Sequence, residues 1–232
     1  MPPFLCDLKG MKKVCTEIRL KMEVYNLKVL VIGGSGFVGK GVLQYLSADP
    51  NFNLASISRS GRPHETQSWI NKVEWIQSDV NKDENWGKAV ENADWVIDLI
   101  GVLFEKNYQE YYEKSVRPAK RLIKHLQDRT EKAKFLFVSA KHAPFFLKNY
   151  IRAKKEVENE IMEKIPDRGY IVYPGMIYAK ERKMVFLMAV LLNFALKIPV
   201  LKRILTAYEP IKRADFSYEI SQILLGNASS LF

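Results

Sequence analysis

The sequence predicts a doubly wound α/β fold, a parallel sheet covered by helices on both faces. Three observations predict it: short strands alternate with helical stretches between residues 28 and 178, the first and fourth strands are nearly all apolar, and glycines crowd the first strand–helix junction. Repeated βα units return each strand parallel to the last and bury the sheet between layers of helices. The first strand is KVLVIGG (28–34), where four of the first five residues are apolar and the run ends in glycines. GKGVLQYLSA (39–48) follows as a helix with Val42, Leu43 and Leu46 on one face. NLASISRSG (53–61) is a second strand, broken at Gly61 and Pro63, and VEWIQSDV (73–80) is a third, with alternating character. ENWGKAVENA (84–93) is helical and leads into an apolar fourth strand, DWVIDLIG (94–101). One long helix is expected over 108–128, with Val116, Leu122, Ile123 and Leu126 as its apolar positions. KFLFVSA (134–140) is a fifth strand, NYIRAKKEVENEIMEKI (149–165) a charged helix, and GYIVYPGMIY (169–178) a sixth strand.

Past residue 178 the pattern changes to a helical region over 184–205, the segment EPIKRADFS (209–217) and a last helix over 217–225. The expected organisation is an extension over 1–27, a doubly wound domain over 28–178, and a small C-terminal cap over 179–232 that packs on the C-terminal edge of the sheet. No internal repeat or low-complexity tract interrupts it.

Composition limits the function classes. The 232 residues are 47% hydrophobic and 27% charged, which excludes a disordered chain, a collagen-like fibre and a peptide dependent on disulfides. A formal charge of +10 fits anionic partners, whether phosphorylated cofactors, nucleic acid or an acidic membrane surface. The two cysteines, Cys6 and Cys15, supply neither a disulfide framework nor zinc spacing and point to a reducing compartment. His64, His125 and His142 show no metal spacing, so no metal is expected. Residues 1–27 contain no apolar run of secretory type, and Asp7, Glu17, Glu23 and a single arginine argue against a mitochondrial presequence. A loose extension ahead of a start at Met11 or Met22 and a functional arm both remain open. MVFLMAVLLNFAL (184–196) has 13 residues, against the ~20 needed to span a bilayer, and reads as a buried helix or one lying in a membrane interface. Eight cations against two carboxylates over 180–213 fit a peripheral contact with an anionic membrane. Nucleic-acid binding is disfavoured, because the cations are dispersed and no recognition module appears.

The glycines carry the most specific chemistry. Gly33, Gly36 and Gly39, within Gly33-Gly34-Ser35-Gly36-Phe37-Val38-Gly39, form G-x-x-G-x-x-G between the first strand and the first helix. One glycine permits the tight turn, one lets a pyrophosphate approach the backbone, and one packs the helix against the sheet. The helix N-terminus offers N–H groups and a positive dipole end to the anion, with Phe37 and Val38 at the point of approach. The fold then reads as an NAD(P)-binding Rossmann fold; the alternative is a tight turn without a ligand. Where an acidic residue would bind the ribose 2′-OH of NAD, the second strand ends Ser58-Arg59-Ser60-Gly61-Arg62. Arg59, aided by Ser58 or Arg62, suits a 2′-phosphate and hence NADP, with NAD as the second choice; the alternative is a solvated surface cation. Asp79, followed by Val80, sits where a carboxylate meets an adenine amino group, or it caps a helix. Tyr150 and Lys154 are four apart on one predicted helix and share a face.

These residues together resemble the short-chain dehydrogenase/reductases, in their extended and atypical branches. The glycine spacing is theirs, as is Y-x-x-x-K at Tyr150 and Lys154 preceded by Ser139 at the end of the fifth strand. GGSGFVGKGV, SISRSGRP, the VSA of 138–140 and YPGMIY are similar to the branch that holds the yeast mitochondrial coenzyme Q biosynthesis protein and the 39-kDa accessory subunit of respiratory complex I. The similarity covers residues 28 to about 225. The resemblance implies that Tyr150 is the acid or base for a substrate oxygen. Lys154 would lower its pKa and hold the nicotinamide ribose, and Ser139 would bond the substrate carbonyl. It also makes Leu99-Ile100-Gly101-Val102 a cofactor-facing turn. The loop HAPFFLK between Ser139 and Tyr150 is short, and its Phe145 and Phe146 are expected to line an apolar pocket. Three features depart from the family: Ser115-Val116 where an asparagine is common, Tyr173-Pro174-Gly175 in place of Arg-Pro-Gly, and a short C-terminal region. The implied function is NADP-linked hydride transfer between a carbonyl and an alcohol on an apolar substrate, quinone-like or isoprenoid-like. The alternative is a non-catalytic dinucleotide-binding subunit or assembly factor of a membrane-associated complex. The expected location is cytoplasmic, at a membrane surface, or mitochondrial for a eukaryotic source; the oligomeric state stays open.

Overall fold

The computed structural model describes residues 26–195 and 209–232. The expectations for the N-terminal extension, up to residue 25, and for the 196–208 part of the basic apolar tail lie outside the described residues. Within them, β1 (Leu27–Ile32), β2 (Phe52–Ser58), β3 (Val73–Gln77), β4 (Trp95–Asp98), β5 (Lys134–Val138) and β6 (Gly169–Val172) form one sheet in the order β3-β2-β1-β4-β5-β6. Every neighbouring pair is parallel, as the apolar strands require. A small second sheet pairs β7 (Ile177–Tyr178) with β8 (Ile211–Lys212).

Alternation along each strand divides the core between two faces. On one face, Leu30, Ile32, Phe135 and Phe137 pack against Leu122 and Ile123 of α4 (Arg117–Arg129) and Val157 and Ile161 of α5 (Lys148–Lys164). On the other, Val29, Val31, Ile97 and Leu136 meet α1 (Phe37–Leu46) and α7 (Arg213–Leu224), which contribute Leu43, Leu46, Phe216 and Ile220. α2 (Gly87–Glu91) is a short helix before β4, and α3 (Tyr108–Tyr111) precedes α4. α6 (Lys183–Ala195) covers the described part of the apolar stretch. No helix among the described residues is long and apolar enough to cross a membrane.

Three elements differ from expectation for identifiable reasons. The helix predicted over 108–128 is interrupted by a π-turn at Tyr112–Val116, just before Pro118, whose missing N–H breaks the i→i−4 ladder. The sixth strand splits into β6 and β7 around Pro174, which has no ladder donor. A Cβ on the next residue, Gly175, would lie 1.7 Å from the Glu209 carbonyl oxygen, so the returning chain crosses there. The last helix begins at Arg213, and its buried face lies against α1 on one face of the sheet.

The strand order reverses direction at β1, which has β2 on one side and β4 on the other. Chain connections leave these strands toward opposite faces, opening a crevice at the carboxyl ends of β1 and β4 where ligands of such sheets bind.

Candidate functional site

The glycine turn lies in that crevice. Gly33 has φ +86°, a conformation that glycine adopts without penalty. A Cβ on Gly39 would stand 2.4 Å from the Gly33 carbonyl oxygen and 2.6 Å from Gly34 Cα, so helix and turn touch backbone to backbone. Gly36 is the N-cap of the ten-residue α1 and makes no side-chain capping bond. A Cβ there would meet only the Gly33 carbonyl oxygen, at 3.1 Å. This bare, close-approach turn at a helix N-terminus fits the pyrophosphate of a nicotinamide dinucleotide. Gly34 is equally constrained, since its Cβ would fall 2.1 Å from Ser56 Oγ and 2.6 Å from Leu43 Cδ1. The sequence motif gives Gly34 no role; the paired glycines were the available signal.

Phe37 and Val38 open α1. The Phe37 ring lies under two guanidinium groups, Arg182 at 4.5 Å and Arg213 at 4.8 Å from its centroid. Val38 packs on the α1-side core. Beside the turn, Ser35, Phe37, Lys40, Trp69, Arg182 and Arg213 help to line a cleft of about 600 Å³. Arg59 is exposed past the end of β2. The adjacent Ser60 hydroxyl bonds Ser35 Oγ at 2.9 Å, joining the β2 loop to the glycine turn. The Asp79 carboxylate accepts the Asn81 N–H at 3.0 Å within a local turn, and Val80 is buried in the core on the α4 side.

The second half of the site is built from β4, β5 and α5. Lys154 is buried, with its Nζ donating to the Val138 carbonyl at 2.6 Å and lying 4.5 Å from the Phe137 ring centroid. A Cβ on Gly101 would lie 3.7 Å from this Nζ, so the lysine faces the turn after β4. Tyr150 sits one helical turn earlier, its ring centroid 5.8 Å from Lys154 Nζ and 6.2 Å from the Tyr111 ring. Burial, followed by the neighbouring Tyr111, pushes the Tyr150 hydroxyl up to about 12. Burial pulls Lys154 down to about 8, against the attraction of Asp98 and Glu158. Ser139 is buried, and its hydroxyl donates to the Glu158 carboxylate.

Thus Gly101, Tyr150 and Lys154 come together, and the three motif glycines come together at the neighbouring strand end. Ser139 points its proton at Glu158. Two residues that the sequence reading missed complete this half. Asp98, buried at the end of β4, accepts the Ile100 N–H at 2.8 Å on Oδ1, while its buried Oδ2 has no hydrogen-bond partner. Burial raises its carboxyl to about 6, with the Ile100 N–H and Lys154 pulling the other way. Its signal was a lone carboxylate in the otherwise apolar run WVIDLI. Glu158, one turn beyond Lys154, is hydrogen-bonded by Ser139 and by Tyr173, whose hydroxyl is pushed up by burial first and by Glu158 second. Its signal was the i,i+4 spacing from Lys154.

Comparison with known proteins places this architecture. An uncharacterized chloroplastic protein of Arabidopsis thaliana is 29% identical over 169 residues, which are 71% of this chain and 55% of that protein. The chain therefore spans little more than half of the length of that relative. MIOREX complex component 2 of Saccharomyces cerevisiae is 27% identical over 207 residues, 67% of this chain and 74% of that protein. Among solved structures, UDP-N-acetylglucosamine 4-epimerase of Bacillus cereus superposes with a TM-score of 0.63 at 16% identity, covering 88% of this chain and 77% of the epimerase. That likeness extends the shared fold well past the glycine turn. Residues 29–145, from β1 through the loop after β5, match one family directly, and the chain belongs to the NAD dependent epimerase/dehydratase family, an extended short-chain dehydrogenase/reductase group.

Proposed function

We propose that this chain binds NADP in the crevice between the glycine turn and α5, and that Tyr150 exchanges a proton with the oxygen of an apolar alcohol or carbonyl substrate. The observation that carries the reading is the placement of Lys154, a buried ammonium one helical turn from Tyr150 and facing Gly101. Gly33, Gly36 and Gly39 would receive the pyrophosphate, Arg59 with Ser60 and Ser35 the 2′-phosphate, and Lys154 the nicotinamide ribose. When bound, the nicotinamide supplies or accepts a hydride at the substrate carbon. Tyr150 enters protonated across the neutral range, because its hydroxyl is pushed up to about 12. It is therefore a proton donor in the reductive direction.

Titration with NADPH and with NADH, followed by tryptophan quenching, tests the binding half. Trp69 borders the cleft beside the turn and provides a reporter. Tight NADPH binding that weakens roughly tenfold in Arg59→Ala, about 1.4 kcal/mol, while NADH binding holds, is the expected result. Absence of binding to either dinucleotide would sink the reading.

A second reading, a dinucleotide-binding subunit without turnover, is favoured by one observation. The Ser139 proton is committed to Glu158 and is unavailable to a substrate carbonyl. The similarity to a protein named as a complex component points the same way. Tyr150→Phe separates the two readings in cells. If function survives Tyr150→Phe but not Gly39→Ala, the subunit reading stands and the catalytic one is abandoned.

A further inference from the structure

Two loops leave the carboxyl edge of the sheet from adjacent strands, β4 and β5, beside Tyr150. Each carries exposed apolar side chains at its tip: Leu103 (47% exposed) and Phe104 (69%) on the first, Phe145 (90%) and Phe146 (64%) on the second. Large apolar groups this exposed are unfavourable in water unless something covers them.

Both tips are held from beneath. In the second loop, Leu147 is buried and its N–H donates to the Pro144 carbonyl at 2.8 Å, closing a short 3₁₀ turn over Phe145–Leu147. Phe145 and Phe146 stand edge to face with ring centroids 5.7 Å apart. In the first loop, the Tyr111 hydroxyl donates to the Leu103 carbonyl at 2.8 Å and accepts the Glu105 N–H at 3.2 Å. Tyr111 also packs on Tyr150, so this loop is tied to the site.

The charges around the tips are mostly positive. Between Glu131 and Glu156 the chain carries seven lysines and arginines and no carboxylate. Of these, Lys141 and Lys148 are exposed at the two ends of the loop that carries the aromatic pair, and Lys106 is exposed two residues after Phe104. Glu105, the one acid of the first loop, is paired with Lys114 at 2.6 Å. Aromatic tips framed by an excess of cations match an anionic lipid surface, where rings enter the acyl boundary and ammonium groups meet headgroup phosphates.

We propose that the 102–106 and 141–148 loops dock the chain on an anionic bilayer beside Tyr150; that an apolar ligand then passes between membrane and crevice rests on the function proposed above. This surface uses no residue of α6, and its binding does not depend on the dinucleotide.

Co-sedimentation of the full chain with vesicles tests it, using phosphatidylcholine mixed with phosphatidylserine against phosphatidylcholine alone. Binding is expected to the mixed vesicles only, falling steeply with added salt. Phe145→Ser/Phe146→Ser and, separately, Lys141→Glu/Lys148→Glu should each weaken binding roughly tenfold or more. Leu187→Ser/Met188→Ser on α6 should leave it unchanged. All six substitutions fall on exposed side chains, and an unchanged thermal melt verifies folding. The proposal is overturned if the wild-type chain ignores mixed vesicles, if the paired Phe variant binds as the wild type does, or if the α6 variant alone abolishes binding. NADPH titration of the same variants reads the cofactor site separately, so either idea can fail without the other.

Discussion

Asp98 is where burial and charge compete most directly. Its carboxyl is sealed at the end of β4, with one oxygen satisfied by the Ile100 N–H and the other left without a hydrogen bond. Burial is the largest influence and raises it from 3.8 to about 6, with Lys154 only partly offsetting it. The folded chain thus holds a proton on Asp98 that the unfolded chain has already released. Folding stability from this group is full below about pH 4 and is lost as pH rises through about 6. Two pH units correspond to about 3 kcal/mol. Urea unfolding between pH 4 and pH 7 should show this decline in the wild type and lose its Asp98 part in Asp98→Asn. An unchanged slope in the variant would show that another group controls it. At neutral pH, Asp98 is mostly ionised opposite a protonated Lys154, which titrates near 8. The buried pair then presents its ammonium to the turn at Gly101 without a net buried charge. Glu158 acts at the same scale. By taking the Ser139 proton it leaves Ser139 Oγ with lone pairs alone to offer, the opposite of what a carbonyl ligand needs.

At the scale of elements, the contact between β1 and α1 is the most exacting feature, and two glycines of the same helix show why. A Cβ on Gly39 meets the backbone of Gly33 and Gly34 at 2.4 and 2.6 Å, and neither can move without opening the turn. A Cβ on Gly41 comes as close to Arg213, at 2.5 Å, but meets a flexible side chain. Gly39→Ala should therefore destabilise by roughly 1–3 kcal/mol and abolish dinucleotide binding. Gly41→Ala should change stability by under about 1 kcal/mol and weaken binding far less than Gly39→Ala does, because Arg213 can shift while the glycine turn cannot. Denaturant midpoints and NADPH titrations on both variants check this, and equal losses would refute the distinction. The contrast also explains what could be read in advance. The glycine turn, the six strands and the Tyr150–Lys154 face were legible because their signals lie within a few neighbouring residues. The break between β6 and β7 was not, because the Glu209 carbonyl that fixes Gly175 arrives from a distant segment. The direction of the Ser139 proton was not, because its acceptor lies 19 residues further on, on the facing helix. The π-turn before Pro118 was hidden by apolar positions that keep helical spacing through it.

On the scale of the whole molecule, the last described helix is stitched to the first. α7 lies on α1, and Phe216, Ile220 and Ile223 share one buried cluster with Val42, Leu43 and Leu46. At the start of α7, the Arg213 guanidinium donates to the Phe37 carbonyl at 3.3 Å and to Glu181 at 2.6 Å, across 176 residues of sequence in the first case. The glycine turn therefore rests on the sheet from one side and on α7 from the other. Loosening α7 should weaken the dinucleotide site beyond its effect on stability. Phe216→Ala removes a fully buried ring and should cost about 3–5 kcal/mol; Leu126→Ala, fully buried on the opposite face, should cost about 2–5 kcal/mol. NADPH affinity measured well below both melting temperatures, where each variant stays folded, separates site from stability. Phe216→Ala should bind several-fold more weakly, because Arg213 and the first turn of α1 lose their support, whereas Leu126→Ala should bind like the wild type. Equal affinities in the two variants would show that α7 stabilises the fold without shaping the site. Equal losses would mean that any core defect reaches the turn, and the specific coupling through Arg213 and Phe37 would have to be given up.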